Sequence, residues 1–221
     1  MPAKVGVVLS GCGVFDGSEI HEAVSVLVAL DRRGAAIVCM APNVPLATIN
    51  HQTHKPSEAQ RNVLEESARI ARGKVRDIAT VQAGEIDALV FPGGFGAAKN
   101  LCDFATAGAK ARVNPDVARL LRDCHASRKP IGLACIAPVI AAAVLGYDGR
   151  RPRVTVGTDA KTADAITQMG GQHVEVGPTD ICIDEANRLV TTPCYMNDVG
   201  PAIVFDGADK MVEAVLKMIR K

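Results

Sequence analysis

Residues 130–138 read Pro-Ile-Gly-Leu-Ala-Cys-Ile-Ala-Pro, an apolar run of strand length that ends at Cys135. Ile136 to Leu145 follows at once, rich in small residues and helical in character. A strand that passes into a helix without a loop must bend sharply, and Gly132, Ala134 and Ala137 are small enough to allow it. Such an elbow presents its side chain at the strand's carboxyl end, where ligands bind in open α/β sheets. The amides and positive dipole end of the following helix then lie beside the sulfur and favour thiolate over thiol. A cysteine that only fills the core is the competing reading of the same stretch.

Outward from this elbow, strand-like and helix-like segments alternate. Lys4 to Ser10 (KVGVVLS) is a β-branched run, read as the first and central strand, and Gly11-Cys12-Gly13 ends it. Ser18 stands as N-cap of a helix over Glu19 to Arg33 that stops at Gly34. Ala35 to Met40 is the second strand and Pro42 to Pro56 a polar excursion, with helices predicted over Ser57 to Arg72 and near Val75 to Val81. Ala88 to Phe91 is the third core strand, and a short helix follows its glycine-rich turn through about Phe104. Asn114 caps a helix that has Pro115 at its first position and runs to Ala126. Strands at Val154 to Gly157, Ile181 to Asp184 and Arg188 to Thr191, a helix over Lys161 to Met169 and another from about Gly207 complete the chain. This alternation predicts an α/β fold, an open and mostly parallel sheet of flavodoxin-like type with helices on both faces. No repeat or linker divides it, so residues 1–221 are expected to form a single domain.

Composition narrows the partners. The 25 basic and 24 acidic residues nearly cancel and only Arg150, Arg151 and Arg153 cluster, so nucleic acid is not expected. Aromatic residues make up 3% of the chain and Trp is absent, which leaves Val, Ile, Leu and Ala to build the core, the palette of buried parallel strands. No secretory leader opens the chain and no apolar run reaches the ~20 residues of a membrane span, so the expectation is a cytoplasmic protein without a membrane partner. Seven cysteines at irregular spacings, with no C-x-x-C pair, resemble neither a disulfide framework nor a zinc site. Gly11-x-Gly13-x-x-x-Gly17 displaces the third glycine of a dinucleotide fingerprint, Gly93 to Asn100 lacks Walker spacing, and His51-x-x-His54 has no further ligand beside it. No cofactor and no metal are expected.

Two further features converge on Cys135. Pro92-Gly93-Gly94-Phe95-Gly96 turns at the end of a core strand, and the amide of Gly94 or Phe95, with that of Ile136, could form an oxyanion hole. Glu19 and Glu22 share a face of the first helix, and one carboxyl could exchange a proton with the sulfur. Glu19 reads better as an acidic residue favoured at a helix N-terminus. His21, His125 and His173 fit no pattern that would make one of them the base for Cys135.

The glycine turn, the strand–Cys–helix elbow and the helix glutamate together resemble the class I glutamine-amidotransferase-like (DJ-1/PfpI) superfamily. Glu22 stands twelve residues before Gly34, which matches the superfamily's helix glutamate better than Glu19 does. More closely, residues 8–22 (VLSGCGVFDGSEIHE), 67–74 (SARIARGK), 91–101 (FPGGFGAAKNL) and 191–193 (TTP) resemble the ElbB, or enhancing-lycopene-biosynthesis, family along essentially the whole chain. The resemblance implies a cofactor-independent glyoxalase-like lyase that converts glyoxal to glycolate. In that reading Cys135 forms a hemithioacetal with the small dicarbonyl, Glu22 shuttles the proton, and Gly94, Phe95 and Ile136 bind the oxyanion. It also implies a homodimer. A redox-sensing or regulatory protein of isoprenoid biosynthesis that uses the same cysteine, and a glycation-repair (deglycase) activity, are the alternatives. Protease-like relatives carry His after the nucleophile where Ile136 stands here, and the His-x-Glu of amidotransferases is absent, so Cys–His hydrolysis is disfavoured.

Overall fold

Five short runs of Val, Ile, Leu, Ala and their like, each able to lose water on both faces, form the inner strands. A computed structural model describes residues 1–219. In chain order they form β1 (Lys4–Val8), α1 (Ile20–Arg32), β2 (Ala36–Ala41), β3 (Pro45–Ile49), β4 (Pro56–Asn62), α2 (Val63–Ile70), β5 (Val75–Asp77) and β6 (Ala88–Phe91). Then come α3 (Phe95–Lys99), α4 (Phe104–Ala107), α5 (Pro115–Ala126), β7 (Ile131–Ala134), α6 (Pro138–Ala141) and β8 (Arg153–Val154). The described chain ends with α7 (Ala160–Gln168), β9 (Gln172–His173), β10 (Cys182–Asp184), β11 (Leu189–Thr192) and α8 (Pro201–Ile219).

The main sheet has the order β10-β11-β7-β6-β1-β2-β5, and only β10 runs antiparallel to its neighbour. β6 is the middle strand, with β1 beside it rather than at the centre. Residues of β6, β7 and β11 are buried throughout. On one face α1 and α8 pack Leu30, Val26, Met211 and Val215 against the sheet, and on the other α5 and α6 bring Val117, Leu120, Leu121 and Ile140. Arg33 grips both oxygens of Asp209 and ties the end of α1 to α8. The parallel strands all end at one edge, which holds Cys135, the Gly93-Gly94 turn and the start of α1.

Several local expectations are corrected. The helix placed over Ser57 to Arg72 is confined to Val63–Ile70, because the Asn62 side chain captures the amides of Leu64 and Glu65 and sets the N-terminus there. The residues before it form β4, paired antiparallel with β3 in a ribbon inside the supposed polar excursion. β3 alternates, with Leu46 and Thr48 turned inward. Val75–Asp77 is an edge strand, followed by a single helical turn capped by Asp77, not a helix. The last helix begins at Pro201, six positions before Gly207. The cap of α1 is Glu19, whose side chain accepts from the Glu22 amide at 2.8 Å, while Ser18 is spent on the Ser10 amide at 2.9 Å.

Candidate active site

Cys135 follows directly on β7 with a φ of 58°, a left-handed conformation that costs a side-chain-bearing residue about 1–3 kcal/mol unless its surroundings hold it. They do so through the backbone. The Cys135 amide continues the ladder to Thr192 O at 2.9 Å, and the Ala137 amide closes the turn on Ala134 O at 2.9 Å. The helix α6 starts only at Pro138, later than Ile136. The Ile136 amide lies next to the sulfur by covalent connectivity, and no backbone acceptor takes it within the turn.

The two glycines after β6 have different tasks. A Cβ on Gly93 would lie 2.4 Å from Cys135 Cβ and 2.5 Å from Glu22 Oε2, so only glycine lets the pair meet across this backbone. Gly94 has a φ of 97° and turns its N–H onto the Cys135 sulfur. Phe95 does not join it. Its amide donates to Val14 O at 2.8 Å, so of the two amides expected to serve an oxyanion only that of Gly94 faces Cys135. The Gly96 amide bonds Gly17 O, and Asn100 Nδ2 reaches both Ser10 O and Asp16 O at 2.8 Å, which fastens the 11–17 loop to α3.

Glu22, in the first turn of α1, is 0% exposed. Its Oε2 accepts from the Gly93 amide at 2.9 Å, its Oε1 from the Tyr195 amide at 3.1 Å, and its carboxyl faces the Cys135 thiol across Gly93. Burial is the dominant influence and pushes the carboxyl up to about 7 against the pull of the two amides. Cys135 is 7% exposed; burial first, and then the facing Glu22 charge, push its thiol well above the ordinary range, while the Gly94 N–H acts the other way. This corrects the expectation of a thiolate favoured by a helix dipole: the helix begins too late and the carboxylate faces the sulfur. Below about pH 7 both groups carry their protons, and above it the carboxyl gives up its own while the thiol keeps its proton.

Other groups at this edge were not legible in the sequence. Cys194, two residues beyond β11, is fully buried at a φ of 45°, and its charge would be felt at Cys135. Tyr195 contributes its amide to Glu22, and its hydroxyl shares a 2.8 Å hydrogen bond with Nδ1 of the exposed His21. The one available signal was that Thr191-Thr192-Pro193-Cys194 ends a buried strand much as residues 130–135 do. His125 is engaged elsewhere, with Asn187. His51 accepts from the Phe15 amide and His54 packs on the Phe15 ring, so the His51-x-x-His54 pair clips a loop. Among the described residues no three His, Cys, Asp or Glu side chains converge as metal ligands, and no helix is long and apolar enough to cross a membrane.

No protein-family model matches the chain. It is 47% identical over 230 aligned positions to the human glutamine amidotransferase-like class 1 domain-containing protein 3, mitochondrial, with 99% of this chain and 84% of the relative covered. Among solved structures, an isoprenoid biosynthesis protein with amidotransferase-like domain from Ehrlichia chaffeensis superposes with a TM-score of 0.92 at 35% identity, over 98% of this chain and 99% of the other. Glyoxalase III from Candida albicans superposes with a TM-score of 0.64 at 15% identity, over 98% and 97% of the two chains, a likeness of fold. The human relative is a mitochondrial protein by name, as are its rat and zebrafish counterparts. That overturns the cytoplasmic expectation, which rested on the lack of a secretory leader and of a membrane span; neither bears on an organelle interior.

Proposed function

The chain belongs to the ElbB/ES1 family of class I glutamine-amidotransferase-like proteins, within the DJ-1/PfpI superfamily, and from that membership we propose that it is a cofactor-independent glyoxalase-like lyase acting on a small dicarbonyl such as glyoxal. The observation that carries the reading is the Glu22 carboxyl set against the Cys135 thiol across Gly93, at a strained elbow beside the Gly94 turn. A carboxyl poised near pH 7 can take up and return a proton at working pH. No imidazole is bonded to either group among the described residues, and this favours proton transfer through Glu22 over Cys–His hydrolysis. The fold likeness to the Candida glyoxalase III agrees with the choice of chemistry.

The steps balance without a cofactor. As the sulfur adds to one aldehyde carbon, Glu22 accepts the thiol proton and passes it to the new alkoxide, giving a hemithioacetal. Gly94 and Ile136 amides hold the oxygen on that carbon. Glu22 then removes the proton from the hemithioacetal carbon and returns it to the neighbouring carbon, and the enediol becomes a glycolyl thioester. Water cleaves the thioester, releases glycolate and restores the thiol. A single domain and a homodimer belong to the same proposal.

Two other readings fare less well. A redox sensor needs an accessible, readily ionised thiol, and the 7% exposure and raised thiol of Cys135 weigh against it. Repair of protein-borne adducts needs room for a polypeptide beside a cysteine that is only 7% exposed. The test is NMR detection of glycolate from glyoxal over a concentration series. Saturable turnover is expected, reduced at least ~100-fold in Cys135→Ser and in Glu22→Gln; full activity in Cys135→Ser, or none in folded wild type, overturns the assignment.

A further inference from the structure

We propose that Glu19 is a charge filter beside the site, which keeps negatively charged ligands from Cys135 and reserves the site for small uncharged carbonyl compounds. Glu19 has the right place. Its Oε2 is held by the Glu22 amide at 2.8 Å, and its Oε1 lies 3.8 Å from Nδ1 of His21, so the carboxyl stands between the buried Glu22 and an exposed side chain. Its backbone is packed on the turn that addresses the sulfur: the Glu19 amide donates to Gly93 O at 3.0 Å, and a Cβ on Gly94 would lie 2.3 Å from Glu19 N.

No Lys or Arg offsets it there. Among the described residues no Lys or Arg pairs with Glu19 or Glu22, and Lys99, on the adjoining helix α3, donates to Phe15 O at 2.9 Å. The largest charge effects at Cys135, Glu22 and Tyr195 come from carboxylates and thiols. A ligand carboxylate at this edge would therefore shed its water, find no Lys or Arg and face two carboxyl groups in a site of low dielectric. An uncharged 1,2-dicarbonyl meets only the N–H donors it needs.

The substrate class rests on the enzymatic reading; the filter does not, and the experiment separates them. The folded protein is alkylated at pH 8 with iodoacetamide or iodoacetate, and labelling of Cys135 is followed by peptide mass spectrometry with 2-mercaptoethanol as the open reference thiol. The amide-to-acetate rate ratio at Cys135 is expected to exceed the reference at least ~10-fold, to shrink with added salt, and to fall at least ~3-fold in Glu19→Gln, in which Glu22 remains. That variant keeps an oxygen for the Glu22 amide, and Glu19→Asp, which keeps the charge, should retain the high ratio. Turnover of methylglyoxal against 4,5-dioxovalerate, the same dicarbonyl unit with a carboxylate, should narrow in Glu19→Gln in parallel. A wild-type ratio equal to the reference, a ratio insensitive to Glu19→Gln, or a Cys135 that neither reagent reaches overturns the filter. Charge-selective alkylation without dicarbonyl turnover overturns the substrate class alone.

Discussion

Glu22 is neutral in the folded protein up to about pH 7, whereas in the unfolded chain it ionises near the ordinary glutamate value of 4.5. A group whose folded pKa is raised contributes stability that is complete below the unfolded pKa and lost as pH rises through the folded one. For Glu22 that window runs from about 4.5 to about 7, and the loss is about 3 kcal/mol. Glu22→Gln removes the ionisation but can accept only one of the two amides, from Gly93 and Tyr195, that the carboxyl now satisfies. Urea denaturation should thus show the variant about 1–2 kcal/mol less stable than wild type at pH 5 and about 1–2 kcal/mol more stable at pH 8. An identical difference at both pH values would show that burial does not hold the proton on Glu22. Cys135 could be singled out from the local strand-to-helix pattern, and Glu22 over Glu19 from the family resemblance, because the chemistry of both resides in side chains. Tyr195 could not, since what it lends Glu22 is a backbone amide that any non-proline residue carries. Phe95 erred in the opposite direction: its amide looked available until the Val14 carbonyl claimed it.

At the scale of elements, the 11–17 loop and α3 hold the site through one forked side chain. Asn100 binds the carbonyls of Ser10 and Asp16 from the end of α3, while the Phe95 and Gly96 amides bind Val14 and Gly17 from its start. Asn100→Ala leaves two carbonyls without a donor and should cost about 2 kcal/mol in denaturant unfolding. Because the same contacts seat Gly94 against Glu19, glyoxal turnover should fall by ~10-fold in kcat with the fold retained. Full activity at reduced stability would show that the latch serves folding alone. Helices such as α5 were readable from their own caps: Asn114 accepts the Asp116 and Val117 amides, and Pro115 starts the first turn. The β3–β4 ribbon was not, because β4 (PSEAQRN) has no apolar alternation and owes its extended form to pairing with β3.

Across the whole molecule, protection should follow the sheet order. β6, β1 and β7 are flanked by strands on both sides and covered by helices on both faces, whereas β4 is exposed along nearly its whole length. Amide exchange should therefore be slowest in β1, β6 and β7 and fastest, among the strands, in β4, as read by hydrogen-exchange mass spectrometry. Uniform protection across both groups would mean that the ribbon unfolds only with the core. The α/β class, the mostly parallel sheet, the elbow at Cys135 and the family were all contained in the sequence, since each depends on local periodicity or on contiguous blocks of residues. Only the tertiary structure decided that β6 rather than β1 is the middle strand, that Glu22 meets Cys135 across Gly93, and that burial keeps a proton on each of them. Those outcomes turn on distances and on exclusion of water between segments far apart in the chain, and neither is encoded in the spacing of neighbouring residues.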